Sequence, residues 1–175
     1  LRSIWGLDAK RIFAVGEDGL FLGYDGKRWA PAKGPPSLGW KYENNGSFGS
    51  APMPTTFVRV GGLPDGTLYV TNAESFVHTG LPGKWTSLFS GNPSDPRPIL
   101  SIWATDATHM ILLDSEYMNV RRGGPWESCT LGQGTGVRAL WGTDAKHLWG
   151  AGFGGALIRI DPEKLVHGEP CVAGD

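Results

Sequence analysis

One stretch of this chain occurs four times. Leu1–Trp29 reads LRSIWGLDAKRIFAVGEDGLFLGYDGKRW, and Val137–Asp161 reads VRALWGTDAKHLWGAGFGGALIRID. Ile99–Trp126 is a third copy and Phe57–Trp85, the most divergent, a fourth. The copies recur at roughly 40 to 55 residues, the spacing of radial or stacked repeats and close to that of a propeller blade. Trp5, Trp103 and Trp141 share one slot, which Gly61 fills in the second copy. Gly6, Gly62 and Gly142 share the next slot, and Ile12, Leu68, Met110 and Leu148 share a later one. So many matches in one register mean internal duplication.

Each copy holds four short apolar runs. In the first they are Leu1–Trp5, Arg11–Val15, Leu20–Tyr24 and Arg28–Ala30. Runs of this length fenced by Gly and Asp read as strands. The fences carry turn chemistry: Asp8, Asp106 and Asp144 stand where a carboxylate can accept from backbone N–H groups just ahead. Asp25-Gly26 is a hairpin signal. A four-stranded meander cannot cover its own apolar faces. The expected fold is therefore all-β: a β-propeller of four-stranded antiparallel blades, four in this chain, over 1–56, 57–98, 99–136 and 137–175. The first run of each copy becomes the inner strand. Recurrence predicts that Trp5, Trp103 and Trp141 pack between blades, and that Trp29, Trp85 and Trp126 pack near the outer hairpin. Copy four has Leu165 in place of the closing Trp, so its outer strand is the weakest. A ring closed without strand exchange and a segment of a longer propeller are both open, with the four-blade reading preferred.

Composition agrees. Twenty-seven glycines and 13 prolines suit many tight turns, and 40% hydrophobic residues argue against disorder. No helical periodicity is sustained, and no apolar run nears the roughly 18 residues a membrane span needs. Net charge is −1 with both signs scattered; nucleic-acid binding, which needs a basic stripe, is not expected.

The segment 33–56 has no counterpart in the shorter copies. Its Pro35-Pro36, Asn44-Asn45-Gly46 and Pro52-Met53-Pro54 read as a long interblade loop. Trp40 and Tyr42 in it, with Asn44 and Asn45, are candidate contacts for a partner; the alternative is a loop anchored on the blade edge through Trp40. Trp149 is a further binding candidate, since no other copy has Trp at its slot, although Phe13 and Tyr69 there also suggest packing. Arg2 and Arg138 are strict repeat equivalents, with Arg59 one residue on. They are candidates for an anion site at a channel mouth or for pairs with neighbouring acids. Cys129 and Cys171 lack metal spacing; a disulfide between them and two free thiols are both open. His109 and His147 occupy a turn-edge slot that also takes Arg11 and Thr67, so metal binding is not expected, and no cofactor motif is present.

Ser3-Ile4-Trp5-Gly6, Ala14-Val15-Gly16, Gly19, Tyr24-Asp25-Gly26 and Trp29 resemble the repeat of bacterial extracellular β-propellers abundant in myxobacteria. The pattern is similar, more distantly, to sialidase-type Asp-box and photosystem II assembly factor-like propellers. The resemblance implies a secreted or surface-located binding module. It does not carry sialidase activity, because the arginine trio and Tyr–Glu pair of that site are not visible. The function expected is non-enzymatic binding of a protein partner; a carbohydrate-binding lectin and a glycoside hydrolase fragment are the alternatives.

Overall fold

A computed structural model describes residues 1–53, 55–131 and 136–171. The chain divides into two compact units, Leu1–Pro98 and Ile99–Asp175.

The first unit contains two antiparallel meanders. Blade one is β1 (Ser3–Asp8), β2 (Arg11–Val15), β3 (Phe21–Tyr24) and β4 (Trp29–Pro31), hydrogen-bonded in that order. The insertion is a hairpin, β5 (Leu38–Tyr42) with β6 (Phe48–Pro52), and not the loop its prolines suggested. Blade two is β7 (Phe57–Gly62), β8 (Leu68–Asn72), β9 (Phe76–Leu81) and β10 (Lys84–Ser90). The second unit repeats the plan. Blade three is β11 (Ser101–Asp106), β12 (His109–Leu113), β13 (Tyr117–Arg122) and β14 (Trp126–Thr130). Blade four is β15 (Val137–Gly142), β16 (Leu148–Gly152) and β17 (Leu157–Ile160).

The turns form as their aspartates dictate. One oxygen of Asp8 accepts from the backbone N–H of Lys10 at 2.8 Å and of Arg11 at 2.9 Å. Asp106 does the same for Thr108 and His109, and Asp144 for Lys146 and His147. Hydrogen bonds favour the charged carboxylate and hold all three below the usual carboxylate range: Asp8 chiefly through the Lys10 N–H, Asp106 chiefly through the Thr108 hydroxyl and then the Thr108 N–H, and Asp144 chiefly through the His147 side chain. The residue closing each turn (Arg11, His109 or His147) also contacts the same carboxylate through its side chain.

Blade four departs from the expected four strands: three are found among its described residues. Pro162 stands two residues past the end of β17 and has no N–H to give a ladder, and residues 162–164 make a single 3₁₀ turn capped by Asp161. The tail then leaves its own blade and runs along β14. Thr130 N–H donates to the Glu169 carbonyl at 2.9 Å, and Cys171 N–H to the Thr130 carbonyl at 2.7 Å. Ser128 N–H donates to His167 Nδ1. Cys129 and Cys171 are joined as a disulfide. It therefore ties the tail to blade three, within the second unit.

Each unit has an apolar core lying between its two blades. In the first it is built from Val15 and Phe21 of blade one against Val60, Leu68 and Val70 of blade two. In the second, Ile111, Leu113 and Met118 of blade three meet Leu140, Leu148 and Ile160 of blade four. Blades one and three turn a forward face toward the next blade, and blades two and four turn a rear face back to it; the repeat defines the equivalent faces of every blade by the same strand positions.

Candidate functional site

The two blade joints are built alike. In the first unit the Trp5 indole lies over Gly62, where a Cβ would stand 2.5 Å from the ring. The Ser3 hydroxyl accepts from the Val60 backbone N–H at 3.2 Å. In the second unit the Trp103 Nε1–H donates to the Gly142 carbonyl at 3.0 Å, and the Ser101 hydroxyl accepts from Leu140 N–H at 3.0 Å. A joint thus needs a Trp and a Ser on the forward face of one first strand, and a Gly and a branched apolar residue on the rear face of the next. Period-two alternation along the strand supplies both sets at once.

Blade four carries the forward face without a cover. The cross-strand pairs Trp141–Trp149 and Ala151–Leu157 put Trp141, Trp149, Ala151 and Leu157 on one side of its sheet, with Ala139 beside them. Trp103 is 8% exposed, whereas its equivalent Trp141 is 69% exposed; Phe21 is 3% exposed, whereas its equivalent Leu157 is 67% exposed. Trp149 is 40% exposed. Together with Leu140 these residues line an open groove of about 380 Å³. Recurrence predicted packing for Trp141, and the structure instead leaves it at the surface.

Trp149 is thus brought beside Trp141, and the remaining candidates lie elsewhere. Trp40 and Tyr42 have their backbones in β5, and their side chains lie outside what the structure describes. Asn44 and Asn45 are exposed at the hairpin tip, where Asn45 Oδ1 accepts from Ser47 N–H at 3.0 Å. Asn72 Nδ2 donates to the Leu38 carbonyl at 2.6 Å and fastens the hairpin's base to blade two. Arg2 is exposed and pairs with Glu17 at 2.6 Å. Arg138, on β15, lies 4.8 Å from the centre of the Phe153 ring, a cation–π distance. Arg59 is exposed on β7. Each of Arg2 and Arg138 therefore has a local partner within its own unit. Among the described residues no three His, Cys, Asp or Glu side chains gather in a way that could hold a metal ion. Within the same residues no helix is long and apolar enough to cross a membrane.

The antiparallel sheets, inner first strands and Trp–Gly joints define a β-propeller with four blades in this chain. One solved structure similar in fold is "YCF48 bound to D1 peptide", a β-propeller, with a TM-score of 0.50 and 14% sequence identity over 93% of this chain. At that identity the likeness speaks for fold alone. The chain spans 65% of the length of that structure. No family model matches the sequence, and no curated protein matches it.

Proposed function

We propose that this chain is a non-enzymatic binding module whose partner is a protein, engaged through the forward face of blade four. The observation that carries this reading is the chemistry of the groove: Ala139, Leu140, Trp141, Trp149, Ala151 and Leu157 line it, and all are apolar. Contiguous exposed apolar surface of this kind marks interaction sites, and tryptophans are the residues that most often dominate a protein interface. A sugar site also uses stacking aromatics, but it needs polar groups beside them to hold the hydroxyls. That contrast favours protein over carbohydrate. YCF48 was solved with a peptide bound, which is in keeping with a propeller serving this purpose. An extracellular or surface setting belongs to the same proposal, and the Cys129–Cys171 disulfide supports it, since such bonds persist in oxidising compartments.

Parallel selection against a displayed peptide library and a glycan array tests the reading. Peptide ligands rich in apolar residues are expected. Trp149→Ser should weaken them by about 2 kcal/mol or more, roughly thirtyfold, as for an interface hot spot, while Asn45→Ala leaves them unchanged. Glycan ligands that depend on Trp149, with no peptide ligands, would contradict it.

A further inference from the structure

The hairpin inserted between blades one and two turns on Asn45-Gly46-Ser47, which has the Asn-x-Ser form of a glycosylation acceptor. Its place in the fold suits that chemistry. Tyr42 pairs with Phe48 at the end of the β5–β6 ladder, so residues 43–47 are the turn itself. Glu43, Asn44, Asn45, Gly46 and Ser47 are all exposed. Gly46 takes a positive φ of 84°, which a residue without Cβ adopts freely. Its N–H donates to the Glu43 carbonyl at 3.0 Å and closes the turn.

The asparagine side chain is oriented by its own motif. Ser47 N–H donates to Asn45 Oδ1 at 3.0 Å, and the Ser47 hydroxyl to the same oxygen at 2.5 Å. Both bonds go to the oxygen, and Nδ2 has no partner among the described residues. A carboxamide nitrogen is a poor nucleophile because its lone pair is shared with the carbonyl. Two donors on the oxygen make the Nδ2 proton easier to lose, at the atom that must bond a sugar. The chain supplies its own comparison in Asn92-Pro93-Ser94. Asn92 is also exposed, and its Oδ1 accepts from Ser94 N–H at 2.9 Å. Proline in the middle bars that site from the motif, and among the described residues the Ser94 hydroxyl gives Asn92 no second bond.

Resting on the extracellular setting proposed above, we propose that Asn45 is an N-glycosylation site, taking an oligosaccharide from a polyprenyl-linked sugar diphosphate. Nδ2 bonds the anomeric carbon of the first sugar, and the bond from that carbon to the diphosphate oxygen breaks. The polyprenyl diphosphate leaves with the electron pair, and the Nδ2 proton passes to a base of the transferase. The Cys129–Cys171 disulfide belongs to the same exported setting. A glycan is bulky and solubilising, which suits the tip of a hairpin and no position in a blade core.

Secretion of the full chain from cultured cells that carry out asparagine-linked glycosylation tests this, with the wild type, Ser47→Ala and Ser47→Thr recovered from the medium. Enzymatic release of glycans in heavy-oxygen water turns a glycosylated asparagine into a labelled aspartate, which peptide mass spectrometry locates. The label is expected at Asn45 and at neither Asn44 nor Asn92. Ser47→Ala is expected to abolish it and Ser47→Thr to retain it, with unchanged circular dichroism in both. A wild type bare at Asn45, or label that persists in Ser47→Ala, would overturn the proposal. Thiol titration of the same samples separates the two readings. A formed disulfide with a bare Asn45 removes only the glycosylation site; free thiols at Cys129 and Cys171 in the secreted chain remove the extracellular setting and the proposal with it.

Discussion

The Trp103 indole N–H and the Gly142 carbonyl meet at 3.0 Å across the joint of the second unit. The same tryptophan slot is covered at Trp103 and bare at Trp141, so substitutions there should separate packing from binding. Trp103→Ala is expected to cost about 3–5 kcal/mol, the range for a large aromatic removed from a core. Trp103→Phe, which loses mainly the hydrogen bond, should cost about 1 kcal/mol plus the lost contact area. Trp141→Ala should stay within about 0.5 kcal/mol. Urea denaturation of the three variants gives the ordering, and a Trp141 cost equal to that of Trp103 would contradict the assignment.

Glycine at position 62 is required by proximity. A Cβ there meets the Trp5 ring at 2.5 Å, so Gly62→Ala is expected to lose about 1–3 kcal/mol by overpacking. Gly124→Ala is the control, since a Cβ there meets nothing within 4 Å. Thermal melts of the pair give the comparison.

Repeat arithmetic made the first strands, the Asp-capped turns and the joint residues legible, because duplication writes the same contact more than once. What stayed hidden had physical reasons. Copy two lacks the joint Trp, and its slot is taken from across the ladder: Tyr69 stands directly opposite Gly61 and fills the space a side chain there would need. Burial pushes the Tyr69 hydroxyl up to about 12. The β5–β6 hairpin carried a readable Asn45-Gly46 turn, but flanking prolines masked the short alternation around it. That blade four shows three strands among its described residues was foreshadowed by Leu165 in place of Trp, yet the tail's course along β14 depends on tertiary hydrogen bonds that no local pattern encodes. The exposed face of blade four was the least legible of all, since Trp141 occupies the same repeat slot as the buried Trp103.

His78 should make stability acid-sensitive. It is fully buried, its ring stacks on Phe76, and neither ring nitrogen has a hydrogen-bond partner among the described residues. Burial lowers its pKa below the ordinary histidine value, so the folded state holds it neutral. The unfolded chain takes up a proton as pH falls below about 6.5. Between the unfolded and folded values the unfolded state binds more protons, and stability declines as pH drops through that window. The aspartates of the turns act in a separate, lower range. Their folded values lie below the usual carboxylate value, so their contribution is present above it and is lost as pH falls through those folded values. Denaturation midpoints at pH 7 and pH 5 should differ for the wild type and converge for His78→Leu.

The disulfide should stabilise the second unit. It closes a loop between residues 42 apart in sequence, for which about 2–4 kcal/mol is typical. Cys129→Ala/Cys171→Ala is expected to lose that amount and to release the tail from β14. Hydrogen exchange at the Thr130 and Cys171 amides, both bonded across this contact, reports the release.

Hydroxyl-radical footprinting of the tryptophans in dilute protein addresses the bare forward face of blade four most directly. Trp141 is expected to oxidise fast and Trp103 slowly, with Trp149 between them, and Trp141 should become protected when a partner is bound. Equal protection of Trp141 and Trp103 in the dilute, unbound chain would contradict the account.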